Sequence, residues 1–255
     1  MKLKSIFILL VFILNNFYCA AQINTERYRE DSDSLGVSAI ADLEITAITG
    51  NTDFQFIQLG GRLNYNWGTS YTFLVGNGGF GWDEGESIFD QALLHLRHVQ
   101  SINDFIQAEG FVQTDFNKKR LLTERELIGA GFRFRIIKTN EFKIRWGTSY
   151  FYEHENYDVP SNSVHGNNLY ANRFSTYLTF EYEIKESIKL FLVNYFQPQI
   201  GMWDDYRIIS DNSLIVVLSS LVDLRVSFNL RFDSTPPESI KNTDTYTKFG
   251  FSFKF

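Results

Sequence analysis

Four histidines, His95, His98, His154 and His165, are the side chains of this sequence best suited to activate a nucleophile. A serine hydrolase needs a serine activated by a histidine that a third group orients. Residues two apart share one face of a strand, so a strand-borne dyad reads His-x-Ser. Here Arg97 follows His95 at that distance, Gln100 follows His98, Asn156 follows His154 and Asn167 follows His165. No such dyad exists in sequence, although a triad can be assembled from separate segments. His95 and His98, three apart, point to opposite faces of a strand and cannot chelate one metal together.

Other chemical motifs fail on context. Gly76, Gly78 and Gly81 fit G-x-G-x-x-G after a strand. A dinucleotide fingerprint must open a helix there, whereas Trp82, Asp83, Glu84, Gly85 and Glu86 form an acidic stretch that repels phosphate. The glycines are read as shaping a loop. Asp31, Asp33 and Gly36 imitate part of a calcium loop, but Leu35 stands at position five and Asp42, not glutamate, at position twelve. The carboxylates Asp83, Glu84, Glu86, Asp204 and Asp205 read as solvated loop residues with, at most, weak affinity for divalent cations. No cofactor, metal or catalytic residue is assigned.

The chemistry therefore lies in the elements rather than in a motif. The last residues read KFGFSFKF. Phe249, Phe251, Phe253 and Phe255 fall on one face of an extended strand, and Lys248, Gly250, Ser252 and Lys254 on the other. This resembles the closing strand of an outer-membrane barrel and the terminal signal that barrel-assembly machinery recognises. Upstream, segments of alternating polarity recur, bounded by turn residues. They predict strands over 35–49, 54–67, 69–76, 88–100, 105–116, 124–137, 141–153, 170–184, 188–197, 213–222, 224–233 and 245–255. Tight turns fall near Gly68, 103–104, 139–140, 186–187 and Asp223, and mostly longer loops at 50–53, 77–86, 117–122, 154–169, 199–212 and 234–244. Short periplasmic turns opposite longer outer loops are the usual asymmetry of bacterial barrels. The fold class is thus all-β: a transmembrane antiparallel up-and-down β-barrel of about twelve strands with both termini periplasmic.

In such a barrel the apolar face meets lipid and the polar face lines the lumen. Phe174, Leu178 and Phe180 oppose Arg173, Thr179 and Glu181, and Leu224, Val226 and Phe228 oppose Arg225, Ser227 and Asn229. The predicted lumen charges are Arg62, Arg97, Arg133, Arg135, Arg145, Arg173, Arg225 and Arg231 with Asp42, Glu44, Glu109, Asp115, Glu153, Glu181 and Glu183. Tyr65, Trp67, Tyr71, Trp146, Tyr150 and Tyr182 are expected in interfacial girdles. A soluble sandwich would put the same charges in bulk water; strand length, loop asymmetry and the terminal phenylalanines argue against it.

Lys2 and Lys4 precede an apolar run at 6–14 and then Cys19, Ala20, Ala21 and Gln22. This is a signal peptide over 1–21, too short to span a membrane as a helix. Phe17 and Tyr18 stand where a lipidation site needs small residues. Residues 22–34 read as a frayed polar periplasmic leader, and 35–255 as the barrel. Cleavage removes the only cysteine, hence any disulfide, and two lysines from a chain already at net charge −6. Nucleic-acid binding, which wants a basic surface, is excluded.

Several segments resemble a known family: LEITAITGNTD (43–53), ELIGAGFRFRII (126–137), FYEHENY (151–157), NRFSTYLTF (172–180), NYFQPQ (194–199) and LRFDSTPPESIKNTD (230–244), in that order. They are similar to the DUF481 family, also known as YdiY-like, salt-induced outer-membrane proteins of Gram-negative bacteria. The resemblance implies an outer-membrane barrel without catalytic residues to carry over. The expected function is non-enzymatic: a narrow passive channel for ions or small solutes. The alternatives are a structural or surface-interaction barrel with a charge-plugged lumen, and an outer-membrane lipid hydrolase. Expected partners are outer-membrane lipid, lipopolysaccharide and the barrel-assembly machinery.

Overall fold

The structure, a computed structural model, describes Glu26 and residues 35–48, 54–83 and 86–255. The expected signal peptide, with Cys19 and Ala21, the expected leader apart from Glu26, residues 49–53, and Glu84 with Gly85 lie outside the described residues. No described helix is long and apolar enough to cross a membrane. Twelve strands form one closed antiparallel barrel in which each pairs with its neighbours in sequence and the last returns to the first. They are β1 (Gly36–Ile48), β2 (Phe54–Asn66), β3 (Ser70–Asp83), β4 (Glu86–Ser101), β5 (Ile106–Asn117), β6 (Leu122–Lys138), β7 (Phe142–Tyr157), β8 (Asn168–Lys185), β9 (Ile188–Gln199), β10 (Met202–Val217), β11 (Val222–Asp233) and β12 (Thr243–Lys254). The seam is short: among the described residues β1 meets β12 over Ile40–Lys254 to Leu43–Phe251, whereas β1 and β2 stay in register from Gly36–Asn66 to Ile48–Phe54. Ala39 and Phe255 complete the seam with a reciprocal backbone pair at 3.0 and 2.8 Å.

The two ends of the barrel differ. Connections 67–69, 102–105, 139–141, 186–187 and 218–221 share one end with both termini of the sheet; we call it the turn end. The other, the loop end, carries 118–121, 158–167 and 234–242.

Two expected loops are strand instead. Residues 77–83 belong to β3, with Gly76, Gly78 and Gly81 inside the ladder, and 202–212 form the first part of β10. The glycines present no side chain to reveal alternation. In β10 Asp205 and Asp211, which read as loop, face the lumen, where polar groups belong, while Asp204 is exposed and Asn212 lies on the outer face opposite Phe228. The turn expected at Asp223 sits at 218–221; Asp223 itself is in β11 and accepts from Lys254 Nζ at 3.0 Å.

The barrel is inverted relative to a soluble protein. Leu59, Leu63, Leu94, Leu96, Ile128, Phe132, Leu178 and Phe228 project outward and are exposed, while Arg62, Arg97, Arg133, Arg173, Arg207 and Arg231 are buried inside. Phe249, Phe251 and Phe255 are exposed on β12, and Phe253 is half-buried on the same face; Ser252 is buried on the other and bonds to Asp42. Aromatics cluster on the outer surface near both rims. At the turn end Tyr65 packs edge-on against Trp67 (4.6 Å) and Phe142 stacks on Tyr182 (4.5 Å); farther in, Trp146 stacks on Phe134 (5.1 Å). Farther along β7, Tyr150 donates to Asn172 Oδ1 at 2.5 Å, and towards the loop end His154 stacks on Tyr170 at 4.5 Å. Tyr71 departs from the expected girdle: it shares the inward face of β3 with Phe73 and Val75 and stacks on Phe73 at 6.1 Å. That inward face is apolar, so polarity alone misassigns it.

Candidate functional site

The lumen holds two tiers of paired charge. In the loop-end tier Glu153 on β7 is the hub. It accepts from Arg173 Nε on neighbouring β8 (2.5 Å) and, at both carboxylate oxygens, from Arg207 Nη1 on β10 (3.1 Å each); Arg125 on β6 lies 3.5 Å away. Arg207 also donates to Glu155 (2.9 Å) and Asp233 (3.2 Å), and Arg173 grips Asp205 with both terminal nitrogens at 2.9 and 3.2 Å. Arg125 stands 3.6 Å from Asp115. The contacts of Arg207 with Glu153 and Glu155 and of Arg173 with Asp205 skip strands, so the tier reaches across the lumen as well as along the wall.

Local structure places the longest bridge. A short 3-10 turn at Lys118–Arg120 is capped by Asn117, whose Oδ1 accepts from Arg120 N at 3.2 Å, and Leu121 ends it in the left-handed region at φ 59°. The turn carries Arg120 to Asp233 on β11, 3.5 Å away and on the opposite side of the ring. Four arginines (120, 125, 173, 207) thus meet five carboxylates (Asp115, Glu153, Glu155, Asp205, Asp233). Burying such charges costs several kcal/mol per ion unless each is paired.

The second tier lies toward the turn end. Arg97 Nη1 donates to Glu109 at 2.9 Å and to Glu26 at 3.1 Å; its Nε donates to His95 Nε2 at 3.2 Å. Arg133 Nη2 stands 3.3 Å from the second oxygen of Glu26, and its Nη1 donates to Gln107 at 3.1 Å. Glu26 is 1 % exposed. This residue of the expected leader therefore sits inside the barrel. Nearer the rim Lys143 and Arg145 hold Glu181 at 2.9 and 3.5 Å, and Lys189 lies 3.6 Å from Glu183.

The remaining charges follow the wall. Arg231 pairs with Asp211 through both terminal nitrogens (2.7 and 2.9 Å), and Lys248 lies 3.4 Å from Glu44. Arg62 donates to Asn64 at 2.9 Å and lies 4.3 Å over the ring of Phe73. Arg135 is half-buried and donates to the Asp104 carbonyl at 3.4 Å; Arg225 is half-buried on β11. Parity along β6, β7 and β10 would have added Arg125, Glu155, Arg207 and Asp211 to the sequence reading. Nothing local could have found Glu26, which is remote in sequence from Arg97.

Between the tiers lies a small chamber with a cavity volume of about 50 Å³. His95, Arg97, Glu109 and Arg125 supply its polar wall; Phe111, Phe151, Tyr177 and Tyr195 supply aromatic surface. Two glycines make room for the rings. A Cβ on Gly129 would lie 2.5 Å from the Phe111 ring, and one on Gly147 would lie 2.1 Å from that of Tyr177.

Outside the lumen, two loops are clasped. Glu238, from the DSTPPES stretch, accepts from Ser163 Oγ and Val164 N (2.6 Å each) and from His165 N (3.3 Å). The Ser163 hydroxyl, with the backbone amides, holds its carboxyl down at about 2. A depressed pKa adds stability that is complete above the ordinary carboxylate range and lost as pH falls through the folded value. The amides of Val164 and His165 should therefore be fully protected from hydrogen exchange above about pH 4.5 and lose that protection progressively as pH falls to about 2. Glu238→Gln should lose much of it already at neutral pH. Equal protection in both proteins would show that the clasp contributes nothing.

A family model described as "Protein of unknown function, DUF481" matches residues 41–255. The chain belongs to the DUF481 family. Its barrel is similar to the NanC porin, with a TM-score of 0.54 at 9 % identity, covering 86 % of this chain and 100 % of that one. It is also similar to the translocator domain of the autotransporter NalP from Neisseria meningitidis, with a TM-score of 0.53 at 11 % identity, covering 88 % and 90 %. No curated protein matches. At these identities the likeness concerns the fold, and that fold is the one of outer-membrane porins and translocator domains. Among the described residues no three His, Cys, Asp or Glu side chains are grouped to hold a metal ion.

Proposed function

We propose that this DUF481 protein is a non-enzymatic outer-membrane barrel that carries a narrow passive passage for ions and small solutes. A signal peptide delivers it, and the outward phenylalanines of β12 present it to the assembly machinery. The observation that supports the passage most is the chamber between the two ion-pair tiers: a water-sized route need only rearrange side chains, not strands. The barrel's structural likeness to a porin fits this reading. Reconstituted in planar bilayers, the mature chain is expected to give small discrete conductance steps. Their absence, from protein whose heat-modifiable gel migration proves folding, would remove the channel.

One observation favours a plugged structural barrel instead. Arg120–Asp233 and Arg207–Glu153 cross the lumen, and tight cross-links stiffen a barrel while blocking it. That reading assigns function to the outer loops, facing lipopolysaccharide. A hydrolase would have to start from Thr72 Oγ1, 2.8 Å from His98 Nδ1 on the outer face. The other imidazoles bond to Gln113, Asn168 and the Gly166 carbonyl.

A further inference from the structure

A carboxylate already sits in the lumen between two arginines, and it belongs to the chain itself. Glu26 places one oxygen 3.1 Å from Arg97 and the other 3.3 Å from Arg133, on strands β4 and β6. Gln107 and Glu109, both on β5 between them, steady the two guanidinium groups at 3.1 and 2.9 Å. The arrangement is a two-armed fork in which each guanidinium gives one nitrogen to one oxygen of the carboxylate, the charge-assisted kind of contact. Neither arginine depends on Glu26 for its orientation, because β5 holds both. Arg97 and Glu109 also line the chamber, so a solute there meets the same guanidinium.

We propose that Arg97 and Arg133 form a binding site for small carboxylate solutes, and that Glu26 occupies it here as a tethered competitor. The inference deepens the passage reading and rests on it for the solute's route, though not for the site. Glu26 is part of the same chain and competes intramolecularly, so free carboxylates displace it only when their concentration approaches its effective one. Passage of an anion and displacement of Glu26 are then one exchange at one pair of arginines. A neutral solute of the same size gains nothing from the fork.

The test is ligand-observed NMR with propionate, which reproduces the Glu26 side chain, on the full mature chain in detergent micelles. Folding of every variant is checked by heat-modifiable migration. Glu26→Ala is expected to bind propionate at least about tenfold more tightly than wild type, because the competitor is gone. Adding Arg133→Gln to Glu26→Ala should weaken binding by at least about tenfold, the worth of one charge-assisted contact. Should that double variant not fold, Arg133→Lys keeps the charge and loses the planar group that reaches Glu26 and Gln107 together. Propanamide should not bind to any of them. Equal propionate affinity of wild type and Glu26→Ala, or indifference to the Arg133 change, overturns the site. Binding with these dependences but no conductance removes the passage and leaves the site standing; conductance without such binding does the reverse.

Discussion

Glu153→Ala is expected to destabilise the barrel by about 3–5 kcal/mol, the usual consequence of removing one partner from a buried charge cluster. The size follows from the number of cations that share this one carboxylate. Arg173 and Arg207 donate to it, and Arg125 lies 3.5 Å away. Without it, three guanidinium groups face one another with Asp115, Glu155, Asp205 and Asp233 alone to balance them. Urea titration of the refolded protein in lipid, followed by heat-modifiable migration, measures the loss. Glu153→Gln keeps an acceptor without the charge and should fall between wild type and Ala. A loss below about 1 kcal/mol, the range of solvent-exposed pairs, would mean that water fills this tier and the cross-links are optional.

Leu178→Arg is the second large effect, and it tests which way the sheet faces. Leu178 projects outward from the middle of β8, opposite Trp146 on β7 and Asn194 on β9, and is 49 % exposed in the bare barrel. If hydrocarbon covers that surface, an arginine there costs about 2–4 kcal/mol, against about 0–1 kcal/mol near an interface. Val37→Arg, at the turn-end start of β1, is the matched control. The same urea titration reads both. A Leu178→Arg protein as stable as the Val37→Arg protein would falsify the lipid-facing assignment.

How much of this was legible in sequence depends on what each residue reveals about its neighbours at spacing two. Arg97, Arg133 and Arg173 could be placed on an inward face because Leu96, Phe132 and Phe174 beside them are plainly apolar. On β3 the rule gives no sign: Phe73 and Val75 are buried inside while Leu74 is exposed outside, so both faces look greasy and Tyr71 was assigned outward. On β10 the opposite happened. Asp204, Asp205, Asp211 and Asn212 are loop residues by composition, but Asp205 and Asp211 are the partners of Arg173 and Arg231. Reading them as a loop hid Arg207, which bridges to the hub of the loop-end tier. Glu26 and the Ser163–Glu238 clasp join segments far apart in the chain, and periodicity carries no information about such contacts.

The abbreviated splice between β1 and β12 has a mechanical consequence. A ring under strain parts where the fewest rungs hold it, and every other junction in this one is longer. The two staves at that joint are also the first and last of the sheet, so parting them opens the cylinder without disturbing any hairpin. Insertion would run the same step backwards: eleven junctions join neighbours in sequence, whereas the twelfth joins ends that have no turn between them.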